Sequence, residues 1–174
     1  MALLPATAWG LLVFALQAAA SPTAPAAAVM PDTCPRLVVA YSPGLVPDMS
    51  ASGVVAAVWD SGVIVRALSL QRPGHAHVIG TIAASQVAAL LAAAKDSPIW
   101  QGDNALYPDG SGYTLSFVRR DGSRIGRMVM TGTRLEPAMA DLNRRLFAFP
   151  LSSAHRIEGR ADETRWRCPG TVWQ

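Results

Sequence analysis

Residues 53–70, GVVAAVWDSGVIVRALSL, contain two runs of β-branched and small apolar residues joined by Asp60-Ser61-Gly62. Such runs are typical of β-strands, and a three-residue connection that ends in glycine is typical of a hairpin. Glycine suits the last position of the turn because it adopts left-handed backbone without a steric penalty. The stretch therefore predicts a hairpin with strands at about 53–59 and 62–70.

Further short elements are predicted on either side of this hairpin. RLVVAY, residues 36–41, and HAHVIGTI, residues 75–82, are both typical of strands. Beyond them the apolar residues recur at helical spacing and form one stripe, which consists of Val87, Leu90, Leu91 and Ala94. Because proline cannot continue a helix, Pro98 predicts that this helix ends near Asp96.

A second hairpin is predicted at Asp121-Gly122, which lies between the runs GYTLSFVRR and SRIGRMVMT. Asp-Gly is typical of a two-residue turn, and such a turn would pair Arg120 with Ser123. This register gives the hairpin one uncharged face, which we expect to lie against the core. The residues expected on that face are Tyr113, Leu115, Phe117, Gly126, Met128 and Met130.

A second helix is predicted over about 137–149, with an apolar stripe formed by Met139, Leu142, Leu146 and Phe149. Proline is well tolerated at the first helical position, so Pro137 is the expected start. Thr133 and Glu136 form a competing capping box that would begin the helix earlier. Hairpins followed by helices predict an α+β domain, with a mostly antiparallel sheet of two β-hairpins plus extra strands and two helices packed on one face.

Residues 53–149 resemble a class of exported bacterial domains of unknown function built as hairpin–helix–hairpin–helix. The resemblance is carried by WDSGVIV, by GTIAASQVAALLAAA followed by PIW, and by RRDGSRI followed by the 137–149 helix. It implies the same α+β fold. The class supplies no catalytic residue that could be transferred to this sequence.

The N-terminal residues have the pattern of a secretory signal. Residues 11–20 are an apolar run too short to cross a bilayer, and small residues precede both Ser21 and Val29. We therefore predict export to the periplasm or the medium, with cleavage after Ala20 or Ala28 and no transmembrane segment in the mature chain. The predicted organisation is a signal peptide at 1–28, a disordered leader at 29–35 and a single α+β domain at 36–174, whose Arg-rich tail spans 150–174.

Cys34 and Cys168 are the two cysteines of the chain and lie near the two ends of the predicted mature protein. In an oxidising compartment such a pair is most simply a disulfide. Closing so long a loop would stabilise the fold by roughly 4–5 kcal/mol. The alternative is two unrelated thiols.

Basic residues are concentrated towards the C-terminus. Residues 1–118 contain four basic and six acidic side chains, whereas residues 119–174 contain eleven arginines and six acids. Arginine beside aromatic residues can bind an anionic partner, and the candidate surface comprises Arg119, Arg120, Arg144, Arg145, Arg165, Arg167 and Trp166. The alternative is an ordinary solvated surface. We predict no nucleic-acid partner, because no recognition motif accompanies the arginines.

Two histidines, His75 and His77, are spaced as many metal-binding pairs are. On one strand both side chains would point to the same face, where His155, an aspartate or a glutamate could complete a site. The alternative follows from Pro73-Gly74, which places them at the mouth of a loop, where exposed histidines are common.

Other chemistry is only faintly indicated. Asp103, Asn104 and Asp109 are oxygen donors suited to calcium, but their spacing is equally that of turn formers. The sequence contains neither a Gly-x-Ser-x-Gly nucleophile elbow nor a His-Glu-x-x-His zinc helix. We therefore predict no catalytic residue and no cofactor.

The favoured function is an exported, non-enzymatic binding or accessory domain. Its ligand would be a protein, a peptide or an anionic envelope polymer, bound at a sheet edge or at the Arg-rich surface. One alternative is a small secreted metal-dependent hydrolase that uses His75 and His77. Another is an inhibitor of an extracellular hydrolase, which would act through the loop at about 99–110.

Overall fold

The computed structural model describes residues 27–29, 31, 33–44, 52–101, 110–130 and 136–158. Within them, seven strands form one antiparallel sheet and two α-helices accompany it, which confirms the predicted fold class. The strands are β1 (Leu37–Ser42), β2 (Gly53–Val58), β3 (Val63–Ala67), β4 (Ala76–Thr81), β5 (Gly112–Val118), β6 (Arg124–Met130) and β7 (Ser152–Glu158). The helices are α1 (Ala84–Lys95) and α2 (Pro137–Ala148), and Pro98–Trp100 form a short 3-10 turn.

The strand order across the sheet is β6-β5-β1-β2-β3-β4-β7. The first strand lies between the two hairpins, because β1 pairs with β2 on one side and with β5 on the other. All six residues of β2 are buried, as expected for a strand whose faces are both covered. The edges are β6 and β7.

Apolar side chains pack on both faces of the sheet. One face carries α1 and α2, and its core includes Leu37, Val39, Ile64, Val87, Leu90, Leu115, Phe117, Met139, Leu142 and Leu146. The opposite face has a smaller core, which comprises Ala28, Val38, Val54, Ala57, Trp59, Val63, Val65 and Ile79. The predicted apolar stripes of the two helices therefore lie in one core on the first face.

The first hairpin has the three-residue connection that its sequence predicts. The Trp59 N–H donates to Val63 O at 3.0 Å, and the Gly62 N–H donates to Trp59 O at 3.1 Å. Gly62 has φ +91°, the left-handed conformation expected at the end of such a loop.

The predicted register of the second hairpin is wrong by one residue. The Arg119 N–H donates to Ser123 O at 2.7 Å, so the loop has three residues, and Gly122 at φ +82° takes its last position. The Asp121 carboxylate accepts the Ser123 N–H at 2.9 Å, which holds the longer loop closed. A one-residue shift exchanges the faces of β6. Tyr113, Leu115 and Phe117 do face the core, but they share that face with Ile125, Arg127 and Val129 rather than with Gly126, Met128 and Met130.

One strand was not predicted. β7 pairs with β4 and lies inside the segment 150–174, for which we predicted only a polar tail. Its sequence, SSAHRIE, contains a single large apolar residue, Ile157. Such a sequence is tolerated at the edge of the sheet, where most side chains can remain in water. The apolar periodicity that identifies central strands is therefore absent from it.

The predicted leader contributes contacts at its described positions. The Trp59 indole N–H donates to Thr33 O at 2.7 Å. Just before the leader, Ala28 is only 8% exposed, and its N–H donates to Ser153 O at 3.3 Å. The chain N-terminal to β1 thus joins the smaller core on the face opposite the helices.

The helix starts and ends agree with their sequence signals. α1 ends at Lys95, before Pro98, and α2 begins at Pro137. The alternative cap for α2 involves Thr133, which lies outside the described residues. In the part of the chain that the structure describes, neither helix is long and apolar enough to cross a membrane.

The two turn glycines provide a matched test of the hairpin geometry. A Cβ at Gly122 would meet no atom within 4 Å, whereas a Cβ at Gly62 would lie 2.7 Å from Ile82 O. We expect Gly122→Ala to lower the free energy of unfolding by about 1–2 kcal/mol from backbone strain alone. Gly62→Ala should cost more, because strain and a backbone collision add. Urea denaturation of both variants measures the difference; equal losses would contradict the close approach at Gly62.

Candidate functional site

The two predicted metal-binding histidines occupy different environments. His75 lies in the turn before β4, where its N–H donates to Arg72 O at 3.1 Å and its side chain is exposed. His77 lies within β4 and is fully buried, on the face opposite the helices. The strand alternation that would align them does not apply, because β4 begins only at Ala76.

The ring of His77 in β4 contacts the backbone of β2, although β3 lies between these two strands in the sheet. Its Nε2 lies 2.8 Å from the carbonyl oxygen of Val54, in β2. A carbonyl oxygen only accepts, so Nε2 carries the hydrogen and donates it. In this state Nε2–H satisfies a buried carbonyl, and Nδ1 is the ring nitrogen that keeps a lone pair.

His155 lies on the same face as His77, since His77 is opposite Ile157 and His155 is opposite Ile79. The two histidines are therefore diagonal neighbours on adjacent strands. Even so, the described residues contain no cluster of three or more His, Cys, Asp or Glu side chains that could hold a metal ion. The metal site stays a prediction without a supporting observation.

Several predicted site residues lie outside the described residues. These are the calcium candidates Asp103, Asn104 and Asp109, the tail residues Arg165, Trp166 and Arg167, and Cys168. Cys34 is described and exposed, and its Sγ lies 4.0 Å from Nη2 of Arg124. The disulfide between Cys34 and Cys168 therefore stays a prediction.

The two helical arginines of the predicted binding surface are paired locally. Arg144 and Arg145 both donate to the carboxylate of Asp141, Arg145 through Nε at 2.6 Å. These hydrogen bonds, first that from Arg145, hold the pKa of Asp141 below its usual value. One acid thus partly compensates two exposed cations.

A second group of arginines meets at one end of the sheet, where β1 and β6 begin and β2 and β5 end. We call this group, Arg36, Arg119, Arg120 and Arg124, the arginine end. Arg36 pairs with Asp60 at 3.4 Å, and its guanidinium lies 5.8 Å from the ring centre of Phe117. The other three members are exposed on the β5–β6 hairpin.

The acid within this hairpin is engaged locally. Asp121 Oδ1 accepts from both the Oγ and the backbone N–H of Ser123, and these bonds lower the pKa of Asp121. Its carboxylate therefore remains ionised and stabilises the turn. Around it, Arg119, Arg120 and Arg124 give the hairpin tip a net positive charge.

Two further arginines connect α2 to the sheet, and the sequence did not single out either. Arg127 of β6 donates through Nη1 to Ile99 O and to the carboxylate of Glu136, the residue that precedes α2. At the other end of the helix, Nη1 of Arg66 in β3 donates to Phe149 O at 2.8 Å. The helix ends at Ala148, and Phe149 has extended backbone because residues before proline avoid the helical conformation and Pro150 follows.

Arg66 differs from Arg127 in having no acidic partner among the described residues. It is only 6% exposed, its guanidinium lies 5.8 Å from the ring centre of Phe147, and its Nε and Nη2 are buried without a hydrogen-bond acceptor in the described structure. Burial lowers the pKa of Arg66 to about 10, which still leaves it a cation at neutral pH. A buried donor without an acceptor costs about 1–3 kcal/mol, and more when it is charged.

A smaller polar cluster lies between α2 and β5. Burial raises the pKa of Tyr113, the nearby Tyr41 adds to this effect, and a hydrogen bond with Asn143 opposes it. The two tyrosine rings are 5.1 Å apart between centres. Asn143 is buried, and its Oδ1 accepts no hydrogen bond among the described residues. The raised pKa keeps Tyr113 neutral at physiological pH, so its hydroxyl and the Asn143 amide are uncharged polar groups.

Comparison with known proteins adds no identification. No family model matches the chain, and neither a curated protein nor a solved structure is significantly similar to it. The residues with the most unusual environment, Arg66 and Asn143, were missed by sequence reasoning. For Arg66 one signal was present: it is the single charged residue within the apolar run 53–70 apart from the turn residue Asp60.

Proposed function

We propose that this protein is an exported, non-enzymatic binding domain whose arginine end contacts an anionic partner. The observation that carries the proposal is the exposed triad Arg119, Arg120 and Arg124, grouped on a single tight hairpin. Exposed arginines can each form two parallel hydrogen bonds with carboxylate, sulfate or phosphate groups. The partner chemistry is therefore that of an anionic envelope polymer.

The hairpin is well suited to present these side chains. Its three-residue loop is fixed by Gly122 and by the Asp121–Ser123 hydrogen bonds. A rigid turn loses little backbone entropy when a partner binds. By contrast, Arg144 and Arg145 share Asp141 on α2, so their charge is partly neutralised before any partner arrives.

The two alternatives receive less support. A metal-dependent hydrolase would need His75 and His77 on one ion, whereas His75 is exposed in the turn before β4 and His77 is fully buried within that strand. An inhibitor acting through residues 99–110 would depend on a segment of which 102–109 lie outside the described residues. Export itself, and the resemblance to exported hairpin–helix–hairpin–helix domains, remain part of the proposal.

The choice between the two cleavage sites follows from Ala28. Cleavage after Ala28 would remove a buried residue and its hydrogen bond to Ser153, whereas cleavage after Ala20 would retain both. We therefore expect the mature protein to begin at Ser21. Intact-mass measurement of the protein recovered from the periplasm or medium tests this, and a chain beginning at Val29 would contradict it.

The arginine end can be tested with a sulfated polymer. We expect the chain to bind dextran sulfate, and binding to weaken as added salt shortens the screening length from about 10 Å to about 3 Å. The variant Arg119→Gln/Arg120→Gln/Arg124→Gln should bind about 10-fold more weakly, because exposed pairs contribute roughly 0.2–1 kcal/mol each. Calorimetric titration gives both affinities.

The control is Arg144→Gln/Arg145→Gln, which removes two exposed positive charges from α2 and is compared with the double variant Arg119→Gln/Arg120→Gln of the hairpin. Its affinity should stay close to that of the unmodified protein. Equal weakening in the two variants would mean that only net charge matters, and the proposed site would be wrong.

A further inference from the structure

One nitrogen of the Arg66 guanidinium donates a hydrogen bond, and the other two have no acceptor among the described residues. Nη1 donates to Phe149 O, whereas Nε and Nη2 have no acceptor among the described residues. In a planar guanidinium, Nε–H and the adjacent Nη2–H point in the same direction and are spaced to match the two oxygens of a carboxylate. Nε and Nη2 of Arg66 are therefore the two donors that can form parallel hydrogen bonds with one carboxylate.

We propose that Arg66 binds the carboxylate of an amphipathic ligand at the C-terminal end of α2. This inference rests on the proposed function as a binding domain, and it specifies a second site and the chemistry of its ligand. Arg66 lies towards the end of β3 opposite the arginine end, so the two sites are separate. A carboxylate would supply the acceptor and the counter-charge that the described residues do not provide.

The surroundings of Arg66 indicate that the ligand also has an apolar part. Phe147 lies against the guanidinium, and Phe147 and Phe149 are both only partly buried. Just after the end of β3, Leu68 is 51% exposed and Leu70 is 45% exposed. A partly buried aromatic ring against the cation, with exposed leucines two and four residues further along the chain, suits a molecule that combines a carboxylate with an alkyl or aryl group.

Arg156 and the last turn of α2 lie on the same side of the sheet as Arg66. Arg156 of β7 lies on the same sheet face as Arg66, with Val78 between them in register, and it is exposed to solvent. Because Nε and Nη2 are covered, the ligand must displace a neighbouring side chain; Phe147, in the last turn of α2, is the one that stacks on the guanidinium. Helix ends open more easily than helix centres.

The test compares hexanoate with hexanamide, which have the same shape but differ in charge. Hexanoate should raise the melting temperature of the unmodified protein in a saturable way, because a ligand that binds the folded state stabilises it. Hexanamide should not. The variant Arg66→Met should lose the response, whereas Arg144→Met, the same change at an exposed position of α2, should retain it.

The outcomes distinguish the possibilities. A peptide ending in phenylalanine, with a free or an amidated C-terminus, shows whether the carboxylate comes from a peptide or from a small acid; binding of either free acid supports the site. Equal responses to hexanoate and hexanamide, unchanged hexanoate binding in Arg66→Met, or an equal response to inorganic phosphate would overturn it. If Arg66→Met does not fold, the comparison of hexanoate, hexanamide and phosphate on the unmodified chain decides.

The two proposals fail separately. Binding of dextran sulfate tests the arginine end, and binding of hexanoate tests Arg66. If hexanoate does not bind, the proposal for the arginine end therefore still stands. Conversely, the hairpin variant Arg119→Gln/Arg120→Gln/Arg124→Gln should still bind hexanoate with the affinity of the unmodified protein.

Discussion

The larger core depends on α2 lying across the sheet, and an arginine of the sheet contacts each end of this helix. Its first end is bonded to β6 through Arg127 and Glu136, and its last end to β3 through Arg66 and Phe149 O. These strands lie four places apart, a distance of about 19 Å, and a helix spanning residues 136–149 is about 20 Å long. The helix therefore bridges the central strands and covers the larger core, with an arginine from the sheet at each end.

The arginines at the two ends of α2 differ in the charge of their partners. Arg127 has a carboxylate partner in the chain, so its charge is compensated where it is partly buried. Arg66 bonds only to a neutral carbonyl group among the described residues, and its remaining donors are buried. The same side chain thus connects the helix to the sheet and gives the molecule a place that an external carboxylate would complete.

The sequence predicted the individual strands and helices more reliably than the strand register and the contacts between distant segments. The Asp60-Ser61-Gly62 loop, the helical stripes and the two prolines predicted both hairpins and both helices because each signal is local. The register of β6 was wrong because Asp121-Gly122 fits either a two-residue or a three-residue loop, and the hydrogen bond to Ser123 decides between them. β7 was missed because an edge strand has little apolar alternation. Arg66 was missed because burial of one arginine in an apolar strand depends on α2, which is distant in sequence.

The difference between the two arginines can be measured directly as stability without any ligand. We expect Arg127→Met to lower the free energy of unfolding by about 1–3 kcal/mol, because it leaves Glu136 and Ile99 O without their donor. Arg66→Met should lower the free energy of unfolding by less than about 1 kcal/mol or raise it. The variant leaves Phe149 O without its donor, but it also removes a buried charge that has no counter-ion among the described residues. Urea denaturation of the two variants gives both values. A loss in Arg66→Met as large as that in Arg127→Met would show that Arg66 is a structural fastening alone and would contradict this account.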